Sequence, residues 1–389
     1  MELASPAPSS STLNDFKSTK SLRPSRFSIL SFGRIRNAAT PASSTTSLSD
    51  DGSEGTLSSV PTRFVLDAKR LSSSFDPTRP NHRLYRPVKY CRRQGKEVSA
   101  LPHQVQILYD RGTTPLSQDY DLLNRKLGDG AMGSVYLVQR KADKKLFAAK
   151  MHSKDHAKLT RPQYLQRIAD EVIIASSMHH KHIIATVDFV SNGGKYLTIM
   201  EFCPTDLFDV ISSNTLTPEQ IDIYFVQLLL GVSHLHSTGV AHRDLKLENM
   251  CVDKHGQLKI IDFGCATSFR ATFSSQPSLV KGVYGSDPYI APEIWEQFLY
   301  DAVKADMWSL GVVYVAMQSG RFLWDKAQPL DGRYSRFLDR AGATLTKFKI
   351  PTHSHPLLMR LLDPNPNTRA SLEDCFEEPW VAHILETLK

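Results

Sequence analysis

Eight residues near the middle of the chain, His242 to Asn249 (HRDLKLEN), constrain it more than any other stretch. They fit the spacing H-R-D-x-x-x-x-N, and four fixed residues rarely coincide by chance in one chain of 389 residues. The residue types suggest a division of labour. Asp244 supplies a carboxylate that can accept or orient a hydroxyl proton, Lys246 can neutralise a moving anionic group, and Asn249 can turn its amide oxygen to a metal ion. An ordinary charged turn needs none of these at fixed spacing.

A second element follows, where Lys259 to Gly264 reads KIIDFG and places Asp262 thirteen residues after Asn249. An apolar strand there ends in Asp262, and Gly264 permits the turn that aims its carboxylate inward. Oxygens from Asn249 and Asp262 together suit magnesium, a hard ion that bridges phosphates. Upstream, Leu127 to Val135 reads LGDGAMGSV, so Leu127, Gly128, Asp129, Gly130, Ala131, Met132, Gly133, Ser134 and Val135 form a loop of the type G-x-G-x-x-G-x-V. Its backbone can fold closely over phosphates. Alone the motif is weak, because dinucleotide-binding folds use the same three glycines. Here Val135 and Tyr136 continue into a strand, whereas a dinucleotide fingerprint opens a helix. Lys150, 17 residues after Gly133, ends the strand FAAK that also carries Ala148. An ammonium there needs a partner, and Glu171, in the following helix, is the natural one.

The surrounding pattern divides the chain. Short strands are expected over Tyr120–Val138, Leu146–Met151, Ile183–Phe189 and Tyr196–Phe202, with a helix over Gln163–Met178. Thr217-Pro218-Glu219-Gln220 is a capping-box start. Ile221, Phe225, Leu228, Leu229, Val232 and Leu235 then recur at helical spacing, which opens a second, mainly helical lobe. Residues 1–60 hold 16 Ser and 6 Thr with few apolar groups, too little to offset the entropy of ordering a backbone. We therefore read 1–80 as a disordered Ser/Thr-rich arm and 81–117 as a basic linker. Asn81 to Lys96 carries six Lys/Arg and no acid, against a net charge of +7 for the whole chain. Such a stretch is a solvated linker or a dock for an acidic lipid surface or partner. No finger spacing or aromatic platform points to nucleic acid. The five cysteines show no metal spacing, and no run of about 18 apolar residues spans a bilayer. A reduced, cytoplasmic protein is expected.

In order and spacing these elements resemble the eukaryotic protein kinase superfamily, over residues 118–384, with 385–389 left as a tail. The resemblance implies an α+β, two-lobed fold: a small antiparallel β-sheet lobe with one main helix, and a larger helical lobe. It implies ATP and Mg2+ as cofactors and a serine/threonine protein kinase acting on protein substrates, with a nucleotide-binding pseudokinase scaffold as the alternative. Lys246 and Ser286 match the serine/threonine type rather than the tyrosine type. Met200 resembles the gatekeeper, Glu201 to Cys203 the hinge that binds adenine, Asp206 a ribose contact, and Val135, Ala148 and Cys251 the adenine sandwich. Ala291-Pro292-Glu293 resembles the end of an activation segment, with Arg369 as the partner of Glu293. Asp306 resembles the residue bracing the catalytic loop, and Phe263 belongs to the DFG turn. The strings EFCPTDLF and GSDPYIAPEIW resemble the fungal halotolerance and nutrient-permease-regulating kinases. That group implies a role in regulating ion or nutrient transporters, near the plasma membrane.

Two regulatory expectations follow. Kinases with an arginine before the catalytic aspartate, here Arg243, often pair it with a phosphate in the activation segment. The usual acceptor position is Gly282, which has no hydroxyl; the hydroxyls of Thr272, Ser274, Ser275, Ser278 and Tyr284 remain, with Ser274, Ser275 and Ser278 as the candidates unless activation needs no phosphate. Asp206 and Glu248 stand where basophilic kinases meet substrate arginines, so basic residues upstream of the acceptor are expected. A monomer is expected.

Overall fold

The computed structural model describes residues 114–130, 133–153, 160–213, 215–269 and 278–388. The arm read over 1–80 and most of the linker read over 81–117 lie outside the described residues.

Period-two alternation builds the first lobe. After a single turn, α1 (Leu116–Asp119), come strands β1 (Tyr120–Gly130), β2 (Gly133–Arg140) and β3 (Leu146–His152), helix α2 (Arg161–Ser177), and strands β4 (Thr186–Asn192) and β5 (Lys195–Glu201). The strands form one antiparallel sheet in the order β1-β2-β3-β5-β4. In β3 and β5, Phe147, Ala149, Leu197 and Ile199 point into a small apolar core with Tyr120 and Val138. The intervening Ala148, Lys150, Thr198 and Met200 therefore face the other way and line a cleft. Register aligns them, with Val135 opposite Lys150, Lys150 opposite Thr198, and Ala148 opposite Met200.

Helix α2 starts at Arg161, ahead of the expected Gln163, because Gln163 closes a capping box: its Oε1 accepts from the Thr160 N–H at 2.9 Å. Strand β4 starts later than expected. Ile184 N–H donates to the Ile260 carbonyl and Ile260 N–H to the His182 carbonyl, both at 3.0 Å, so Ile183 and Ile184 bond to the second lobe instead. An apolar run identifies a buried strand but not its partner.

The second lobe begins with β6 (Thr205–Asp206), α3 (Leu207–Ser212) and α4 (Pro218–Ser237). The capping box at Thr217 forms, with Gln220 Oε1 accepting from Thr217 N–H at 2.8 Å. Phe225, Leu228, Leu229, Val232 and Leu235 are fully buried, each worth about 1.5–3 kcal/mol in burial alone. Short strands β7 (Val240–Ala241), β8 (Met250–Val252), β9 (Leu258–Ile260) and β10 (Thr267–Ser268) carry the loops of the cleft floor. Beyond them lie β11 (Val280–Lys281), α5 (Pro292–Glu296), β12 (Leu299–Tyr300) and α6 (Ala302–Ser319). Helix α6 is buried on all sides from Ala305 to Met317, as a central helix must be. Around it pack α7 (Gly332–Asp339), α8 (Ala341–Lys347), α9 (His355–Leu361), α10 (Leu372–Glu377) and α11 (Pro379–Thr387).

Packing extends past both ends of the 118–384 span. Thr114 accepts from Ser191 N–H at 2.9 Å and Leu116 is buried under the sheet, while Leu385 and Leu388 lie against the main core. That core includes Ile174, Ala175 and Met178, so the C-terminal end of α2 is anchored in the second lobe. Among the described residues no helix is long and apolar enough to cross a membrane.

Candidate active site

The cleft between the lobes is lined by Leu127, Val135, Ala148, Met200, Glu201, Cys203, Asp206 and Cys251, all expected there from sequence. Its roof is the β1–β2 hairpin, where Gly128 pairs with Val135, Asp129 with Ser134 and Gly130 with Gly133. Ala131 and Met132 at the tip lie outside the described residues. Ser134 Oγ donates to Asp129 Oδ1 at 2.6 Å and ties the two arms together. Gly133 is obligatory for two reasons: its φ is +142°, and a Cβ there would sit 2.1 Å from the Met151 carbonyl oxygen. On the floor, burial and then a hydrogen bond with Cys203 push the Cys251 thiol well above its ordinary range.

At the back of the cleft, Lys150 Nζ donates to Glu171 Oε1 at 2.6 Å and to Asp262 Oδ1 at 2.8 Å. The structure thus brings Lys150 together with Glu171, the partner expected from sequence, and with Asp262. Burial disfavours the Lys150 ammonium, but Asp262 and Glu171 outweigh it and hold the group protonated. Burial likewise opposes ionisation of Asp262, yet Lys150 holds its carboxyl far below the usual range. Asp262 adopts φ +64°, a left-handed conformation that turns the carboxylate inward, and Gly264 N–H donates to it at 3.2 Å. Phe263 is buried against the His242 ring at 5.4 Å.

The loop His242–Asn249 forms a closed network around Asp244. Lys246 Nζ donates to Asp244 Oδ2 at 2.8 Å and to Ser286 Oγ at 2.9 Å, and Ser286 Oγ donates to Asp244 Oδ1 at 3.3 Å. Asn249 Nδ2 donates to the Asp244 carbonyl at 2.8 Å and to Oδ2 at 2.9 Å. Committing its N–H groups to Asp244 turns the Asn249 amide oxygen away from that carboxylate. Asn249 and Asp262 thus offer an amide oxygen and a fixed anionic carboxylate, a donor set that fits a hard divalent ion. Asp306, with no exposed surface, accepts from the backbone N–H groups of His242 and Arg243, both at 2.8 Å, and lies 2.9 Å from His236 Nε2. Arg369 and Glu293 make a bidentate pair at 2.7 and 2.8 Å, both buried.

The protein kinase domain model matches residues 122–381. A probable serine/threonine-protein kinase, RTK1, of Saccharomyces cerevisiae is 34% identical over 322 residues, covering 79% of this chain and 50% of the relative. The nitrogen permease reactivator protein of the same yeast is 31% identical over 314 residues, 69% of this chain and 40% of the relative. The serine/threonine-protein kinase hal4 of Schizosaccharomyces pombe is 34% identical over 280 residues, 69% of this chain and 44% of the relative. The chain belongs to the protein kinase family. It spans half or less of the length of each of these relatives.

Protein kinases use ATP and a divalent metal, and the Lys150–Glu171 pair and the inward Asp262 are the arrangement that this chemistry needs. The activation segment, from Asp262 to Glu293, is described over 262–269 and from Ser278 onward, and Ser274 and Ser275 lie outside the described residues. Ser278 is exposed, and its backbone N–H donates to the Phe269 carbonyl. Burial pushes the Cys265 thiol up to about 11, which suits a packing residue better than a reactive one.

Sequence reasoning missed three supports of the site. Lys259, buried, lies 3.2 Å from Glu201 of the hinge and 3.8 Å from Asp253, bracing hinge against floor. Thr198 lines the cleft and holds His152 Nε2 at 2.8 Å behind Lys150. Tyr284, read only as a spare hydroxyl, lies beneath the Arg243 guanidinium at 4.1 Å. Alternation along β5 would have found Thr198, whereas the other two contacts join residues far apart in the sequence, which no local pattern encodes.

Proposed function

We propose that the protein is a serine/threonine protein kinase that transfers the γ-phosphoryl of ATP to protein hydroxyls. The observation that carries the reading is the bonded set Asp244, Lys246, Asn249 and Ser286 facing the intact Lys150–Glu171–Asp262 cluster. A scaffold that only bound nucleotide would have no use for the first set. In this reading Lys150 binds the α- and β-phosphates, the hairpin from Leu127 to Val135 covers them, and the backbone of Glu201 to Cys203 takes the adenine. Asp244 orients the substrate hydroxyl and accepts its proton, and Lys246 steadies the transferred group. Asn249 and Asp262 would hold Mg2+, which when bound neutralises phosphate charge.

Asp206 and Glu248 support a preference for basic substrates. Burial pushes the Asp206 carboxyl up to about 6, against the Asp209 N–H it caps, with Glu248 adding to the rise. Burial also raises Glu248, whose Oε2 is buried with no hydrogen-bond partner. Two crowded carboxylates of this kind gain from a guanidinium.

The match to a nitrogen permease reactivator protein supports a role in signalling that regulates ion or nutrient transporters. We place the protein in the cytoplasm as a monomer, with residues 81–96 making peripheral contact with the plasma membrane through their six cations. An arrayed peptide library with magnesium-ATP tests the reading. Label should appear on Ser and Thr peptides with Arg two or three residues upstream; label confined to Tyr peptides, or none, would overturn it.

A further inference from the structure

The kinase reading leaves one position unexplained, since Gly282 stands where a phosphate acceptor is expected and cannot carry one. The structure fills that place in another way. Gly282 has φ +92°, and a Cβ built on it would lie 2.8 Å from Cε2 of Tyr284, so the Tyr284 ring occupies the volume that a side chain at 282 would need. The other face of the matter is Arg243. Its guanidinium carbon lies 4.1 Å from the centroid of the same ring, and its Nε donates to the Cys265 carbonyl at 2.7 Å. Tyr300, whose hydroxyl donates to the Gly282 carbonyl at 3.1 Å, helps to fix the turn.

We propose that Tyr284 is a positioning residue for phosphotransfer, its ring serving Arg243 in place of the phosphate that position 282 cannot bear. This proposal rests on the function argued above. A guanidinium is planar and weakly hydrated, so it stacks on an aromatic face where an ammonium would stay in water. The contact matters because Arg243 adopts φ +63°, a conformation that a bulky residue keeps only when its surroundings hold it. Arg243 immediately precedes Asp244, and its own N–H is bonded to Asp306. Holding the side chain against Cys265 and Tyr284 therefore fixes the peptide that aims the Asp244 carboxylate. Ser278 precedes β11 in the chain, and its backbone N–H is bonded to the Phe269 carbonyl.

The test compares full-length wild type, Tyr284→Phe and Tyr284→Ala after phosphatase treatment, with mass spectrometry confirming that no phosphate remains. The wild type should keep its rate. Tyr284→Phe, which retains the ring, should match it, and Tyr284→Ala should lose about tenfold in kcat, the scale of a partly exposed cation–ring contact, with the ATP KM unchanged. Amide exchange over residues 242–246 should be faster in Tyr284→Ala than in Tyr284→Phe. A wild type inactivated by phosphatase, or an alanine variant equal to the phenylalanine one in rate and exchange, would overturn the proposal. Wild type that transfers no phosphate at all would instead defeat the function reading, and the exchange comparison would still decide the role of Tyr284.

Discussion

Asp206 shows how burial can tune one residue for a task. A carboxyl held at about 6 is mostly ionised at pH 7.5 and mostly neutral at pH 5. If it meets a substrate arginine, the attraction is present above that value and fades as pH falls through it. For a peptide with an upstream arginine, KM should rise several-fold between pH 7.5 and 5, an effect that Asp206→Asn should flatten and that a peptide without the arginine should not show. Gly133 offers a second residue-scale test. With the Met151 carbonyl 2.1 Å from any added Cβ, Gly133→Ala must displace β3 or the hairpin, and the ATP KM should rise at least about tenfold in steady-state assays. Some of these roles were legible in the sequence. The lysine on a strand implied a buried acid, and Glu171 is that acid. The left-handed turn at Gly282 was not, because glycine announces conformational freedom without saying which ring will fill the space it leaves.

At the scale of elements, α2 and the α5 region carry the assembly. Helix α2 brings Glu171 to the sheet while Ile174, Ala175 and Met178 anchor it in the second lobe, so the Lys150 pair depends on how the lobes meet. Helix α5 is fastened by Glu293 to Arg369, whose side chain also donates to the Asp363 and Lys304 carbonyls and lies over Trp308 at 5.2 Å. Removing one partner of a pair this buried leaves an uncompensated charge. Arg369→Ala should therefore lower stability by about 3–5 kcal/mol in urea unfolding, while Glu293→Gln should cost less because it leaves a neutral acceptor. The resemblance to protein kinases had suggested this pair. The displaced start of β4 was beyond such reasoning: the apolar pattern of Ile183 and Ile184 fits either lobe, and only the assembled structure bonds them to Ile260.

Across the whole molecule, the sheet supplies one wall of the cleft and the helical lobe the other, and each half of the chemistry is tied across the gap. Lys150 from the sheet reaches Asp262 of the second lobe, and Lys259 of the second lobe reaches Glu201 at the hinge. The two-lobed arrangement was readable because motifs in fixed order require it, whereas the packing of Leu116 and Leu388 beyond the expected limits was hidden in segments with no motif. The proposed function rests above all on phosphate transfer through Asp244. Its most direct test is Asp244→Asn assayed with magnesium-ATP and a serine peptide, alongside nucleotide binding. The transfer rate should fall at least about a hundredfold with nucleotide affinity retained. A variant that binds nucleotide normally and transfers phosphate at the wild-type rate would contradict it.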